Sequence, residues 1–293
     1  MKIALNLALA VAALISISTG VVSAHSQHKR AAPSDPAHWT YGQDNRGPQH
    51  WGQLDPLYGT CGTGHKQSPI DIAVGAPYVH LQNKGFSNLD YKPIRNVLCG
   101  YNGHAVQCDW TATNPASNAN SITIRGKKYY LAQFHFHTPS EHRIDNRFAD
   151  GELHLVHKSE DGALAVIGIL LEVQAKNNPF FNWLTALDKE VDRVEGHGIL
   201  VKHEKTGTPV PGKEQIKYKV NKVDFSSILR ATGKFTPRWE YEGSLTTPPC
   251  SEGVAWNVVK ATVGLGLEQY DALVDLEDFN ARFIQDRPTV SEH

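Results

Sequence analysis

The sequence predicts a single, mostly β domain with a few short helices. The prediction rests on the chain length, on short segments in which apolar and polar residues alternate, and on the turn signals between those segments. The chain has 293 residues, and the roughly 270 that follow an apolar N-terminal segment suit one large domain or two small ones. Because no internal repeat and no clear linker divides them, we expect one domain.

The N-terminal segment, residues 1–24, has the pattern of a signal peptide. Lys2 precedes a mostly apolar run, and the small residues of 22–24 suit cleavage directly after them. The alternative is an uncleaved membrane anchor, since the run is nearly long enough to span a bilayer. Residues 25–37 are polar and contain Pro and Ala, which predicts a flexible lead-in before a domain that occupies 38–293.

The charge balance excludes several kinds of partner. The chain has 29 Lys and Arg residues against 30 Asp and Glu residues, a net charge of −1. There is no basic excess that would indicate nucleic acid binding, and no acidic tail. Beyond the N-terminal run, no stretch of sequence is apolar enough to cross a membrane. We therefore expect a small-molecule substrate that is not selected by bulk charge.

Four cysteines bear on the cellular compartment: Cys61, Cys99, Cys108 and Cys250. In an exported protein an even number of cysteines favours disulfides, and two bonds allow three connectivities. Free buried thiols are the alternative. No Cys-x-x-Cys pair occurs, so the sequence does not indicate a zinc site made of thiolates.

The strand predictions follow the chain in order. Residues 96–110 contain Asn-Gly at their centre, the strongest short signal for a β-hairpin. Alternation and a Gly turn predict a second hairpin over 121–137. Residues 151–159 and 254–265 are further strand candidates, and the continuous apolar run 163–173 is typical of a central buried strand.

One helix and one surface segment complete the outline. Residues 178–191 have helical spacing at five apolar positions, and Pro179 suits the first turn of a helix. Residues 202–222 are rich in Lys, Gly and Pro, which we interpret as a solvated excursion rather than a binding patch.

The stretch "QFHFHTPSEH" (133–142) holds the most specific chemistry. On a strand, alternate side chains share one face. Gln133, His135 and His137 therefore lie on one face, and Phe134 and Phe136 lie on the other. Two imidazoles on one face make a pair of metal ligands, whereas the two aromatic rings suit the core.

A third ligand is expected from His154, in "GELHLVH" (151–157). Three neutral imidazoles leave a fourth coordination position open, which is the pattern of catalytic rather than structural zinc. A ligating histidine usually donates its other N–H to a fixed acceptor. Gln133 shares the face of His135, and Glu152 shares the face of His154, so each is placed to orient its neighbour.

Two alternatives apply to these histidines. They could be ordinary core or surface groups, and His142 and His157 are interpreted in that way, as buried hydrogen-bonding residues. Alternatively, His135 and His137 with Glu141 resemble the first metal motif of cupin oxygenases, in which Glu is a further ligand of iron or manganese. The glycines that flank that motif are missing here.

Five motifs in order resemble the α-class carbonic anhydrases. They are "QSPIDI" (67–72), "YNGHAVQ" (101–107), "QFHFHTPSEH" (133–142), "GELHLVH" (151–157) and "YEGSLTTPPCSEGVAW" (241–256). The resemblance extends from "HWTYG" (38–42) to about "FNARF" (279–283). It implies a large, twisted, mostly antiparallel sheet with short surface helices, and a Zn²⁺ enzyme that reversibly hydrates CO₂ to bicarbonate and a proton. The family is itself the standard example of catalytic zinc held by three histidines.

The resemblance also implies a role for each motif residue. His135, His137 and His154 would bind zinc. Thr246 would accept a hydrogen bond from zinc-bound hydroxide and donate one to Glu141. His104 would be the proton shuttle. The residues that would order the water path are Tyr41, Asn102 and Gln107, and those that would line the substrate pocket are Val156, Val166, Leu245, Thr247, Val254 and Trp256.

Disulfide pairing, location and alternative functions complete the expectations. The resemblance implies a Cys61–Cys250 bond. With a two-residue turn at 102–103, Cys99 and Cys108 would be diagonal neighbours on one face, so a second bond is geometrically possible. We expect an exported protein, periplasmic or secreted. A catalytically silent zinc-containing binding module of the same fold and a zinc esterase are the alternatives, and the sequence leaves the oligomeric state open.

Overall fold

The structure is a computed structural model that describes residues 39–73, 75–109, 120–196 and 217–286, with side chains omitted over 192–196. The predicted signal peptide, the lead-in and most of the 202–222 segment lie outside the described residues. Within the part of the chain that is described, no helix is both long enough and apolar enough to cross a membrane.

Short helices and many strands make up the described chain. The α-helices are α1 (Trp51–Leu54), α2 (Thr60–Thr63), α3 (Leu184–Gly196), α4 (Ser226–Ala231) and α5 (Leu267–Glu277), with 3₁₀ turns at Pro56–Tyr58 and Pro179–Phe181. The strands are β1 (Asp71–Ile72), β2 (His80–Gln82), β3 (Leu89–Asp90), β4 (Ile94–Tyr101), β5 (Val106–Asp109), β6 (Ser121–Ile124), β7 (Lys127–His137), β8 (Arg143–Ile144), β9 (Gly151–Lys158), β10 (Leu164–Gln174), β11 (Lys217–Val223), β12 (Arg238–Ser244) and β13 (Glu252–Gly266).

Eleven of these strands form one large twisted sheet, as the sequence predicted. Its order is β11-β4-β5-β7-β9-β10-β13-β12-β2, with β6 joining β7 to β3. Neighbours pair antiparallel except β10 and β13, which run parallel. β10, predicted as the central buried strand, is buried from Ala165 to Leu171. The fold class is therefore confirmed, with one parallel pairing inside a mostly antiparallel sheet.

The main hydrophobic core lies on one face of this sheet. Phe134 and Phe136 of β7 are fully buried there and pack against Phe180, Phe181 and Trp183. Burying a side chain of this size stabilises the fold by roughly 2–3 kcal/mol. The predicted helix over 178–191 divides in two, a 3₁₀ turn followed by α3, and both parts contribute to this core.

The first hairpin differs from its prediction. Tyr101 pairs with Val106, so the connection is a four-residue loop rather than a two-residue turn. The reason is local, because the side-chain oxygen of Asn102 accepts hydrogen bonds from the backbone N–H groups of His104 and Ala105, both at 2.9 Å. Such a side-chain turn competes with the tighter Asn-Gly turn.

This loop changes the cysteine geometry. Cys99 and Cys108 lie directly opposite each other instead of diagonally, and they are bonded, with Cα atoms 4.0 Å apart. The second disulfide joins Cys61 in α2 to Cys250 over a separation of 189 residues. For a loop of this length, the chain-entropy model gives a stabilisation of roughly 5 kcal/mol. This bond ties the loop after β12 to the N-terminal helices.

The predicted excursion over 202–222 is partly wrong. Its last residues belong to β11, which pairs antiparallel with β4 at the edge of the sheet. Tyr218 and Val220 point inward between exposed lysines, an alternation that the high Lys content concealed. Lysines on an edge strand discourage pairing with another chain.

Candidate metal centre

The three histidines predicted as metal ligands come together on the face of the sheet opposite the main core. β7 and β9 pair so that His135 lies directly opposite His154. One ring nitrogen from each of these two and one from His137 lie within 4.8 Å of one another. His137 and His154 are buried, and His135 is partly buried.

The spacing of these nitrogens fits zinc. His154 Nδ1 and His135 Nε2 are 3.2 Å apart. In a tetrahedral site with Zn–N distances of about 2.0–2.1 Å, ligand nitrogens are about 3.3–3.4 Å apart. In addition, His137 Nε2 is buried without a hydrogen-bond partner, which is unusual for a buried polar atom. A metal ion would satisfy all three nitrogens.

The other ring nitrogen of each candidate ligand is held by an acceptor. Gln133 Oε1 lies 2.8 Å from His135 Nδ1, and Glu152 Oε1 lies 2.9 Å from His154 Nε2. Each acceptor requires an N–H on the nitrogen that it contacts. The opposite nitrogen is then bare and faces the centre, as a metal ligand must.

His137 has an acceptor that the strand pattern did not reveal. Its Nδ1 lies 2.8 Å from the backbone carbonyl of Asn280, 143 residues along the chain. The side chain of Asn280 also accepts from the N–H of Thr138 and donates to the carbonyls of Phe136 and His104. One residue near the C-terminal end therefore fixes a candidate ligand and touches the first hairpin.

Electrostatics keep the three imidazoles neutral. Burial lowers the pKa of His135 well below its usual value and lowers the pKa of His137 to about 4. The pKa of His154 is also lowered, because burial outweighs the opposing effect of Glu152. Since only an uncharged imidazole can bind a metal, the site is prepared for one near neutral pH.

Glu152 is the most heavily hydrogen-bonded group at the site. Besides His154, it accepts from His142 Nδ1 at 2.7 Å and from the backbone N–H groups of Glu141 and His142. Burial alone would raise the pKa of Glu152, but the neighbouring His142 and His154 outweigh it and hold the pKa well below its usual value. A Cβ at Gly168 would lie 2.7 Å from Glu152 Oε1, so this approach requires glycine.

The two remaining histidines of this region form hydrogen bonds, as predicted. His142 Nε2 lies 2.6 Å from the hydroxyl of Tyr241. On the other face of β9, His157 Nε2 lies 2.6 Å from the hydroxyl of Tyr91, and burial lowers the pKa of His157 to about 4.

Glu141 and Thr246 lie next to the centre. Glu141 is fully buried, accepts from the backbone N–H of Arg282 at 2.9 Å, and places Oε2 3.5 Å from His137 Nε2. Burial raises its pKa to about 7, while His154, the hydroxyl of Thr246 and the Arg282 N–H act in the opposite direction. Among the described residues, the cluster of candidate ligand atoms around His135 does not include Glu141, which argues against the cupin-like arrangement.

An apolar cluster separate from the main core lies on the metal face, which is the face of the sheet that carries His135, His137 and His154. Val156, Val166, Val254 and Trp256 are buried in it, and Leu245 packs against it. The ring of Trp256 lies 4.9 Å from the ring of His154. The cluster brings together all five apolar residues predicted to line a pocket. Thr247, on the loop after β12 that also carries Leu245, is half-buried.

The residues predicted to order a water path lie at the β4–β5 hairpin and, for Tyr41, among the aromatic residues that precede α1. Asn102 Nδ2 donates to Gln107 Oε1 at 3.1 Å. His104 lies at the hairpin tip, as expected, but its ring is stacked on Trp39 with centroids 3.5 Å apart rather than standing free. Tyr41 is close to Trp39, and burial raises the pKa of its hydroxyl well above the usual value.

Sequence reasoning missed four contributors: Gly168, Tyr241, Asn280 and Arg282. Each acts from a strand or loop outside the histidine motifs, so parity along the strands of those motifs could not find it. Two stretches that carry the family resemblance contain three of them: "FNARF" (279–283) contains Asn280 and Arg282, and "YEGSLTTPPCSEGVAW" (241–256) begins at Tyr241.

Fold and site together define a class: enzymes in which a large twisted sheet presents three histidines to a metal ion. Comparison with known proteins makes this specific. The family model for eukaryotic-type carbonic anhydrase matches residues 46–287. Alpha carbonic anhydrase 4 of Arabidopsis thaliana is 33% identical over 88% of this chain and 86% of its own length. A carbonic anhydrase of Nostoc sp. is 34% identical over 82% and 79%, respectively.

A solved structure agrees. The fungal alpha carbonic anhydrase from Aspergillus oryzae superposes with a TM-score of 0.69 at 26% identity, covering 87% of this chain and 94% of its own. The chain therefore belongs to the α-carbonic anhydrase family and is an enzyme of that family, whose members are zinc enzymes that hydrate CO₂.

Proposed function

We propose that the chain catalyses the reversible hydration of CO₂ to bicarbonate and a proton, with Zn²⁺ held by His135, His137 and His154. One observation carries the proposal: three neutral imidazoles turn bare nitrogens to a common centre, and each has its other nitrogen bound to an acceptor. Zinc, when bound, acts as a Lewis acid that lowers the pKa of a bound water to about 7, an effect for which carbonic anhydrase is itself the standard example.

Thr246 and Glu141 orient the nucleophile. An ionised Glu141 can only accept a hydrogen bond, so the nearby Thr246 hydroxyl donates to it. Thr246 Oγ1 then accepts from the attacking oxygen and directs a lone pair of that oxygen towards the substrate. Positive charge at the centre favours the ionised form of Glu141.

The apolar cluster binds CO₂. CO₂ is small and has no net dipole, so the side chains of Val156, Val166 and Trp256 hold it by contact alone, beside the metal ligands. These side chains offer no hydrogen bond to the anionic product, so they do not add to its binding.

His104 exports the proton that each turnover produces. An imidazole titrates near neutral pH, so it can take a proton from the water path and pass it to buffer. Asn102, Gln107 and Tyr41 order the water, and Tyr41 stays protonated because its pKa is raised. The stack on Trp39 gives His104 one defined position at the hairpin tip.

We further propose that the protein is exported, to a periplasm or to the outside of the cell. Two disulfides support this, because such bonds persist in oxidising compartments. The apolar residues 1–24 would be the signal peptide.

Stopped-flow CO₂ hydration on a sample of known zinc content tests the function. Hydration should far exceed ester hydrolysis on the same sample.

Two variants test the residue roles. Thr246→Ala should lower hydration roughly 100-fold with zinc still bound. His104→Ala should lower turnover at least about 10-fold in weak buffer, with partial rescue by imidazole. Ester hydrolysis without CO₂ hydration would identify a zinc esterase, and one zinc per chain with neither activity would identify a silent binding module.

A further inference from the structure

A chain of hydrogen-bonded side chains runs along the β4–β5 hairpin. Gln107 Nε2 donates to Asp109 Oδ1 at 2.7 Å, and Asn102 Nδ2 donates to Gln107 Oε1 at 3.1 Å. At the other end, Asn102 Oδ1 accepts the backbone N–H groups of His104 and Ala105. The chain therefore connects the carboxylate of Asp109 to the loop that carries His104.

The two ends of this chain fix its direction. An ionised carboxylate only accepts hydrogen bonds, and a backbone N–H only donates them. Gln107 must therefore turn its NH₂ group to Asp109 and its carbonyl to Asn102, which in turn presents NH₂ to Gln107. A side-chain amide can rotate by 180° with almost no change of shape. Here only one orientation of each amide satisfies both ends.

This row of hydrogen-bonded side chains lies beside the proposed metal ligands. In the register of β5 and β7, Gln107 is opposite His135 and Asp109 is opposite Gln133, so these side chains share the metal face. Asn102, Gln107 and Asp109 also line a cavity of about 20 Å³, which is the size of one water molecule. The amide orientations therefore determine which donors and acceptors a water molecule in this cavity would meet.

We propose that Asp109 is a positioning residue for proton transfer: it fixes the orientations of the Gln107 and Asn102 amides, and through them the water path and the His104 loop. The inference rests on the proposed function, because it concerns the route by which a proton reaches His104. Asp109 does not contact substrate in this role.

Asp109→Asn tests the proposal, since an amide in place of the carboxylate can donate and lets Gln107 rotate. Turnover in weak buffer should fall about 3- to 10-fold, part of what a positioned proton-transfer group contributes. The value of kcat/KM for CO₂ should stay unchanged, because it does not include proton export. Asp109→Glu keeps a carboxylate and should retain most of the turnover. Asp90→Asn is the matched control. Asp90, at the end of β3, pairs with the exposed Lys92, so this substitution should not change turnover.

A second readout is independent of activity. In NMR spectra of the zinc-loaded protein, Asp109→Asn should shift the side-chain NH₂ signals of Gln107 and Asn102 and speed their exchange, and Asp109→Glu, which keeps an acceptor, should not speed it. Unchanged signals and unchanged weak-buffer turnover in Asp109→Asn would overturn the proposal. So would an equal loss of kcat and kcat/KM or a loss of zinc, because Asp109 would then act on the metal centre or the fold.

His104→Ala separates failure of the inference from failure of the proposed function. If Asp109 acts through His104, the double variant should be no slower in weak buffer than His104→Ala alone. Fully additive losses would overturn the positioning role. If His104→Ala has no effect while Asp109→Asn still slows turnover, the shuttle assignment is wrong and Asp109 acts by another route, which also contradicts the proposal.

Discussion

The two faces of β7 are satisfied in different ways. On the core face, Phe134 and Phe136 need only apolar neighbours, which helices and strands of the main core supply. On the metal face, His135 and His137 each need a specific atom at hydrogen-bond distance, and one of these acceptors is 143 residues away. Apolar burial depends on contact area, whereas a metal site depends on atoms at defined positions. The two faces should therefore fail differently when they are changed.

The largest effect is expected on the metal face. His135→Ala removes a ligand and should lower zinc affinity by more than about 100-fold, beyond what losing an outer hydrogen-bond partner costs. CO₂ hydration should fall with the bound zinc, and elemental analysis after dialysis measures that loss. His157→Gln is the matched control, because His157 lies on the other face of the neighbouring strand and should leave zinc in place. A His135→Ala protein with one zinc and full activity would refute the ligand assignment.

The core face should show the opposite pattern. Phe134→Ala leaves a cavity in a fully buried position and should lower the free energy of unfolding by about 3–5 kcal/mol. The folded fraction should still bind one zinc per chain. Urea unfolding monitored by circular dichroism, together with metal analysis of the folded protein, checks both parts. A loss of zinc at unchanged stability would mean that the two faces are not separable.

His157, on the face of β9 opposite His154, allows a test by pH. Burial lowers the pKa of His157 to about 4 in the folded protein, whereas an unfolded histidine titrates near 6.5. Between these values the unfolded chain binds a proton that the folded chain does not, so stability falls as pH falls through this window.

The size of this effect follows from the shift. The wild type should lose about 3 kcal/mol more than His157→Gln between pH 6.5 and 4. Urea unfolding of both proteins across this range measures the difference. Parallel stability curves would show that folding does not lower the pKa of His157.

A smaller effect is expected one step out from the metal. Gln133→Ala removes the acceptor of His135 Nδ1 and should lower zinc affinity by about 10- to 100-fold without unfolding the protein. A competition titration with a zinc chelator measures the change. Affinity equal to that of the wild type would mean that Gln133 does not orient its neighbour.

The difference between the two faces also explains what the sequence could predict. Parity along β7 separated the candidate ligands from the core residues, because alternation is a property of one strand. Gln133 and Glu152 were found because each lies two residues from the histidine that it holds. Asn280 and Arg282 were not, since their contacts depend on how distant loops meet.

The errors in the fold prediction have local causes. The tight turn predicted at Asn102 and Gly103 lost to a four-residue loop because the Asn102 side chain bonds the loop's own backbone. β11 was missed because lysines dominate its composition, although Tyr218 and Val220 keep the alternation of a strand. The parallel pairing of β10 with β13 could not be inferred, because nothing within either segment specifies the direction of its partner.

Zinc titration of the metal-free protein, followed by stopped-flow CO₂ hydration, tests the central claim most directly. The claim is that one zinc ion on His135, His137 and His154 is responsible for the activity. The predicted result is an inactive metal-free protein whose hydration rate rises linearly with added zinc and levels off at one equivalent per chain. Hydration that persists without zinc, or that stays absent with one zinc bound, would contradict it.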